Sequence, residues 1–296
     1  MDLEATRIFI RVAELASFTR AAEQLGMTKS RVSLRIRALE DELGSRLLQR
    51  TTRVVIPTPD GEAFLARARR WVGEAEDLAA MFQAPSTLRG RVRVDLPVTL
   101  ARDLIIPRLP EFLAAHPALE LLLSTTDRRV DLLREGFDCV LRVGNLADSG
   151  LIASRLGVMP TMNYASVGYV RKYGMPATLA DLDRHYVVHY SLTLGGESSF
   201  EYRDGARYRE QPMRCLVTVN NVDAYEAACL AGLGIIQSPR WGMAPHVERG
   251  ALIEVLPDHV CEPMPVTFVH GHGRTVPKRV RAVMTWIAGL VEPTLA

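Results

Sequence analysis

Cysteine is scarce: only Cys139, Cys215, Cys229 and Cys261 occur in 296 residues. They lie far apart and form no Cys-x-x-Cys pair, which argues against a disulfide scaffold or a structural zinc site and for reduced core thiols. Lysine is scarcer still. Lys29, Lys172 and Lys278 stand against 33 arginines, a bias read as codon preference rather than function. No stretch reaches the roughly 18 apolar residues that a membrane span requires. The opening MDLEATRIFI carries Asp2 and Glu4 and no basic run, so no secretory signal is expected, and a cytoplasmic location is. Enzyme signatures are missing too. There is no Gly-x-Ser-x-Gly elbow, and Gly232-Leu233-Gly234-Ile235-Ile236-Gln237 lacks the third glycine of a dinucleotide loop. His185/His189 and His270/His272 come without a carboxylate placed to complete a zinc site. We therefore expect no catalytic residues, metal or cofactor.

What is present is ordinary globular material, 48% hydrophobic and 24% charged, enough for two domains or three if one is small. Net charge is only +2, but it is unevenly spread. Between Lys29 and Arg53 stand seven basic residues and three acidic ones, a local excess of +4. That cluster suits a polyanion.

The first 57 residues read as compact and helical. Leu3, Ile8, Val12 and Leu15 mark an amphipathic helix to Ala16. Ser17 caps a second helix from Phe18 to Leu25, and Thr28 or Ser30 caps a third that Gly44 ends. On the third helix Val32, Ile36, Leu39 and Leu43 form an inward stripe. Ser30, Leu34, Arg37 and Asp41 lie opposite, with Arg31 on the flank. A leucine among basic residues on an outward face implies a face that meets something. Arg46–Arg50 and Arg53–Ile56 read as a hairpin, or wing. A long helix from Pro59 to about Gln83 carries Phe64, Ala68, Trp71, Ala75, Leu78 and Phe82 at alternating spacings of 4 and 3, an a/d seam expected to pair with a second copy. Residues 84–87 read as a linker.

From Arg91 the texture turns to α/β: strand, helix Leu100–Ala115, strand, helix Arg128–Glu135, strand, which implies a parallel sheet. A second unit of similar content follows, so two lobes with a cleft are expected. The chain should cross between them near MNYASVG and VTFVH, giving a first lobe of about 91–162 plus 267–296 and a second of about 163–266.

Ala22, Gly26 and Val32 supply the small crossing residue, the turn glycine and the inner apolar residue of a helix-turn-helix. The longer string, SFTRAAEQLG, Val32-Ser33, IRALEDELG, RLLQRTTR and TPDGE, resembles the N-terminal domain of the LysR-type transcriptional regulators. The resemblance continues through GRVRVDLPVTL, DLLREGFDCVLRVG and NNVDAYEAACLAGLGI, and so covers essentially the whole chain. It implies a winged helix-turn-helix (1–58), a linker and dimerisation helix with hinge (59–87), and a two-lobed α/β effector domain like the type-2 periplasmic binding proteins (88–296). Many members have Gln and Ala where Lys29 and Arg31 stand, and a basic residue in place of Leu34, so the family's base contacts are not carried over.

On this reading Lys29, Ser30, Arg31, Ser33, Leu34 and Arg37 face the major groove, Leu34 against a thymine methyl, and Arg50, Thr51 and Arg53 hold phosphates. The cleft candidates are Pro97, Val98, Thr99 and Leu100 at a helix start, Thr125 and Thr126, Arg142 with Gly144, and Asn221 with Asp223. Arg142 suits an effector carboxylate; the alternative is an ion pair with Asp127 or Asp138. Expected partners are double-stranded DNA, a small-molecule effector, further copies of the chain as dimer or tetramer, and RNA polymerase, with no membrane. A ligand-independent architectural DNA-binding protein is the competing function, but it leaves some 200 residues of α/β structure idle.

Overall fold

The computed structural model describes residues 1–50, 55–80, 88–146, 151–272 and 276–295. Thr51, Arg53 and Phe82 lie outside them, as does the Arg50 side chain.

Helix α1 (Leu3–Leu15) is capped by the Asp2 carboxylate, which accepts from the Glu4 and Ala5 amides, and ends at Ala16 in left-handed backbone. Helix α2 (Phe18–Gln24) is capped by Ser17. Helix α3 (Lys29–Leu43) is capped by Thr28 and closed by Gly44 at φ 65°. Each cap is a local hydrogen bond, so each boundary follows from neighbouring residues alone. Phe9, Val12, Ala21, Val32, Ile36 and Leu39 close the core of the unit. Leu43, expected in the inward stripe, is exposed instead, as the last residue of α3 before Gly44.

Strands β1 (Leu48–Arg50) and β2 (Val55–Pro57) pair antiparallel. The Glu40 carboxylate accepts from the Leu47 and Leu48 amides at 2.9 and 3.0 Å, tying the wing to α3. Helix α4 (Pro59–Ala80) follows. A Cβ on Gly61 would lie 1.9 Å from the Leu47 carbonyl oxygen, so the wing packs on α4 only because residue 61 has no side chain.

The seam expected along α4 is divided. Phe64 packs edge-on against Phe9 of its own chain, ring centroids 5.2 Å apart, and Ala68 is buried. The sequence pattern made these two look like contacts to a second copy; Phe64 instead meets Phe9 of α1, and Ala68 is buried within the chain itself. Trp71 and Ala75 are half-buried, and Leu78 is 63% exposed.

The first lobe comprises β3 (Arg89–Leu96), α5 (Val98–Leu100), α6 (Leu109–Ala115), β4 (Ala118–Thr125), α7 (Leu132–Glu135), β5 (Cys139–Val143) and β6 (Ile152–Met159). Pro107 and Pro110 break the single helix expected over 100–115. A π-helical turn, Ala101–Ile105, and a 3-10 turn, Ile106–Arg108, join α5 to α6. Helix α7 is half the expected length, since Asp131 caps it.

The second lobe holds β7 (Thr161–Ser166), α8 (Val167–Tyr173), β8 (Tyr186–Tyr190), the hairpin β9 (Ser199–Asp204) and β10 (Arg207–Pro212), β11 (Arg214–Val219), α9 (Val222–Leu230), β12 (Ile236–Pro239), α10 (Arg240–Glu248) and β13 (Leu252–Glu254). The chain returns through β14 (Met264–His270) and ends in α11 (Lys278–Val291). Crossovers fall at Pro160 and between β13 and β14.

The first-lobe sheet runs β4-β3-β5-β14-β6. Strands β4, β3 and β5 are parallel, while β14 is antiparallel to both neighbours. In the second lobe β12-β7-β13 is antiparallel and β8 pairs parallel with β11. Strands β6 and β13 and helix α10, which contains Pro245, give no clear sequence signal. Cys139, Cys229 and Cys261 are buried thiols; Cys215, expected in the core, is exposed.

Candidate DNA-reading face and inter-lobe cleft

The outward face of α3 gathers most of its candidates in one place. Lys29, Ser30, Ser33, Leu34 and Arg37 line a single shallow depression of about 370 Å3. Leu34 is 67% exposed, and Val32, Ile36 and Leu39 hold the opposite side of the helix in the core. An apolar side chain left in water inside a basic patch can pack on a thymine methyl while its neighbours hold phosphates. Arg31 stands apart from the depression, 3.8 Å from Glu4 on α1. Arg35 is turned the same way, to Asp2 and Glu4 at 3.3 and 2.8 Å.

The cleft is built differently: its candidates are bonded to one another. Asp127, which sequence reasoning weighed only as a partner for Arg142, lies between the lobes. One carboxylate oxygen faces the Val98 amide of α5 at 3.5 Å, and the other accepts from the Val222 amide of α9 at 2.9 Å. The helix start proposed for an external anion is thus served by the chain's own carboxylate. Arg102, also missed, donates to Asp103 and, across the cleft, to Asp223, both at 2.7 Å. Thr99 faces the second lobe, its methyl 3.6 Å from where a Cβ on Gly242 would be.

Arg142 makes an ion pair, though with neither expected partner. It contacts Asp95 at 2.5 Å and donates to the Leu141 and Arg128 carbonyls. The Asp95 side chain has no solvent exposure. Burial raises its pKa, and Ser124 and Arg142 oppose the rise. Asn221 caps α9 through the Ala224 amide, Thr126 accepts from the Arg128 amide, and Gly144 sits at φ 97° with its amide on the Pro265 carbonyl. Tyr190 lies near Asp127, and burial with that charge raises its phenol to about 12. The signal for Asp127 and Arg102 was their position beside a strand end and a helix start; their partners are remote in sequence.

Neither histidine pair assembles a metal site. His185 bonds Tyr169 while His189 faces the Gly195 carbonyl. Among the described residues no cluster of three or more metal-ligating side chains occurs, and no helix is long and apolar enough to cross a membrane.

A sequence model of the bacterial regulatory helix-turn-helix protein, lysR family, matches residues 3–62, and one of the LysR substrate binding domain matches 85–291. The chain belongs to the LysR family. It is 41% identical over 295 residues to the uncharacterized HTH-type transcriptional regulator YhjC of Escherichia coli K12, covering 99% of both. It is 35% identical to an HTH-type transcriptional repressor of Pseudomonas aeruginosa UCBPP-PA14, covering 97% of this chain and 92% of that one, and 32% identical to the transcriptional activator AaeR of E. coli K12, covering 95% and 91%. Among solved structures it is similar to CrgA of Neisseria meningitidis (TM-score 0.61, 27% identity, 98% of each chain) and full-length AphB of Vibrio cholerae (TM-score 0.58, 26% identity, 98% and 99%). This LysR chain is a helix-turn-helix transcriptional regulator with a two-lobed regulatory domain.

Proposed function

We propose that this regulator binds operator DNA as a homo-oligomer, with Lys29, Ser30, Ser33, Leu34 and Arg37 in the major groove and Arg31 at the edge of that contact. The wing, with Arg50, Thr51 and Arg53, lies on the backbone. The carrying observation is the single depression that joins those five side chains on the solvent side of a helix whose other side is core. Trp71, Ala75, Leu78 and Phe82 meet a second copy, while Phe64 and Ala68 serve the chain's own core. A small-molecule effector enters the cleft by taking over the two amides that Asp127 now occupies and so biases the lobes toward one arrangement. The relatives include a named repressor and a named activator at similar identity, so similarity does not fix the sign of regulation.

The test is a gel-shift titration with operator DNA at several salt concentrations. Arg37→Ala should cost about 1–3 kcal/mol of operator affinity and relax base preference, with thermal stability unchanged. Full affinity in the Arg31→Ala, Arg37→Ala double variant would overturn this assignment of the reading face.

A further inference from the structure

We propose that a second anion site, separate from the cleft, lies where the helix-turn-helix unit, α4 and the first lobe meet, and that it takes an oxyanion carrying two or more negative charges. Its centre is Glu14 at the end of α1. Four arginines lie within ion-pair distance of this one carboxylate: Arg11 at 3.6 Å, Arg69 at 3.4 Å, Arg91 at 2.8 Å and Arg93 at 3.5 Å. Arg91 has a further partner in Glu120, and even so the cluster holds more cations than carboxylates. It is also partly desolvated, with side-chain exposures of 16% for Arg69 and 23% for Arg93. The buried Nε atoms of Arg69 and Arg93 have no protein acceptor. Burial and the neighbouring Arg93 charge lower the Arg69 pKa, the direction that unneutralised cations give.

The cluster opens into a cavity of about 910 Å3 lined by nine arginines and six carboxylates. Its donors are held in place. Arg69 donates to the Glu135 carbonyl, Arg91 makes a two-pronged contact with Glu120, and Arg93 lies over the Phe137 ring at 5.8 Å. Guanidinium groups fixed as forks recognise planar or tetrahedral oxyanions through paired hydrogen bonds. Arg69 comes from α4 and Arg91 and Arg93 from β3, while Glu14 belongs to α1. An anion bound here ties the DNA-binding unit to the regulatory lobe by contacts that bypass the cleft.

The probe is sodium pyrophosphate, titrated calorimetrically into the full-length protein against sodium chloride at matched ionic strength. Saturable binding near one per chain is expected. Arg69→Gln with Arg93→Gln should weaken it about tenfold or more, whereas Asp223→Asn in the cleft should leave it unchanged. Glu14→Gln, which removes the competing charge with little change of shape, should tighten it, and this arm remains decisive if the double arginine variant fails to fold. Absence of saturable binding, equal loss in Asp223→Asn, or no tightening in Glu14→Gln would each overturn the proposal.

Discussion

The outward face of α3 and the inter-lobe cleft carry similar chemistry, arginines, hydroxyls and acids at helix ends, yet stand in opposite states. On α3 the depression leaves Leu34 in water. In the cleft, Asp127 holds an amide from each lobe, Arg102 reaches Asp223, and Arg142 is committed to buried Asp95. A face that meets a long polyanion gains by keeping its groups exposed and flexible, because counterion release supplies affinity. In the cleft the buried Asp95 would be left unpaired without Arg142, and the more exposed Arg102 and Asp223 also pair with each other. Substitutions on α3 should therefore alter binding and spare the fold, whereas substitutions in the cleft should cost stability of the regulatory domain.

The strongest challenge to this contrast is Arg142→Ala. It strands Asp95 in the first-lobe sheet and should cost about 3–5 kcal/mol of stability, read from urea unfolding; Asp95→Asn in the same background should restore part of it. A variant as stable as the parent would mean the pair is not essential to the cleft.

Asp127→Asn tests the middle range. An amide retains one acceptor oxygen but turns N–H groups toward backbone donors, so a loss of about 1–2 kcal/mol is expected in the regulatory domain. Operator affinity or the footprint should shift without effector, because the bond joining the lobes is weakened. If melting temperature and footprint both stay put, Asp127 is not the element that joins them.

The last test is in pH. Burial lowers the pKa of His185 and of His270, with His272 adding to the second. A histidine held neutral in the fold binds its proton more readily when unfolded. Stability is therefore full above the ordinary value of about 6.5 and declines as pH falls below it, by at most about 1.4 kcal/mol per pH unit for each group. Unfolding measured between pH 7.5 and 5 should show that slope, and His185→Gln with His270→Gln should flatten it. A parent curve without any slope would remove the assignment.

The two regions also differed in how far they could be read from residues alone. The geometry of α3 was largely legible: stripe, cap, turn glycine and basic cluster all act within one or two helical turns. The exceptions were Leu43, which is exposed, and Arg31, whose neighbour Glu4 belongs to another helix. In the cleft the candidate loops were found, but the residues that join them, Asp127 and Arg102, were not. Their partners lie 95 and 121 residues further along, and no spacing rule reaches that far.

By itself the sequence determined the three N-terminal helices, the Ser17 cap, the turn and closing glycines Gly26 and Gly44, the basic outward stripe and the family, because each is written in local periodicity, short-range hydrogen bonding or strings of matching residues. Only the tertiary structure decided how the charges and the apolar stripe were used. Phe64 went to Phe9 of the chain's own α1, Asp95 claimed Arg142, and Glu14 drew arginines from 55, 77 and 79 residues away. A charge or a heptad leucine states what it needs but not who will supply it. Partner choice depends on which surfaces the folded chain brings together, and Coulomb attraction and apolar contact act over distance in space whatever the separation along the chain.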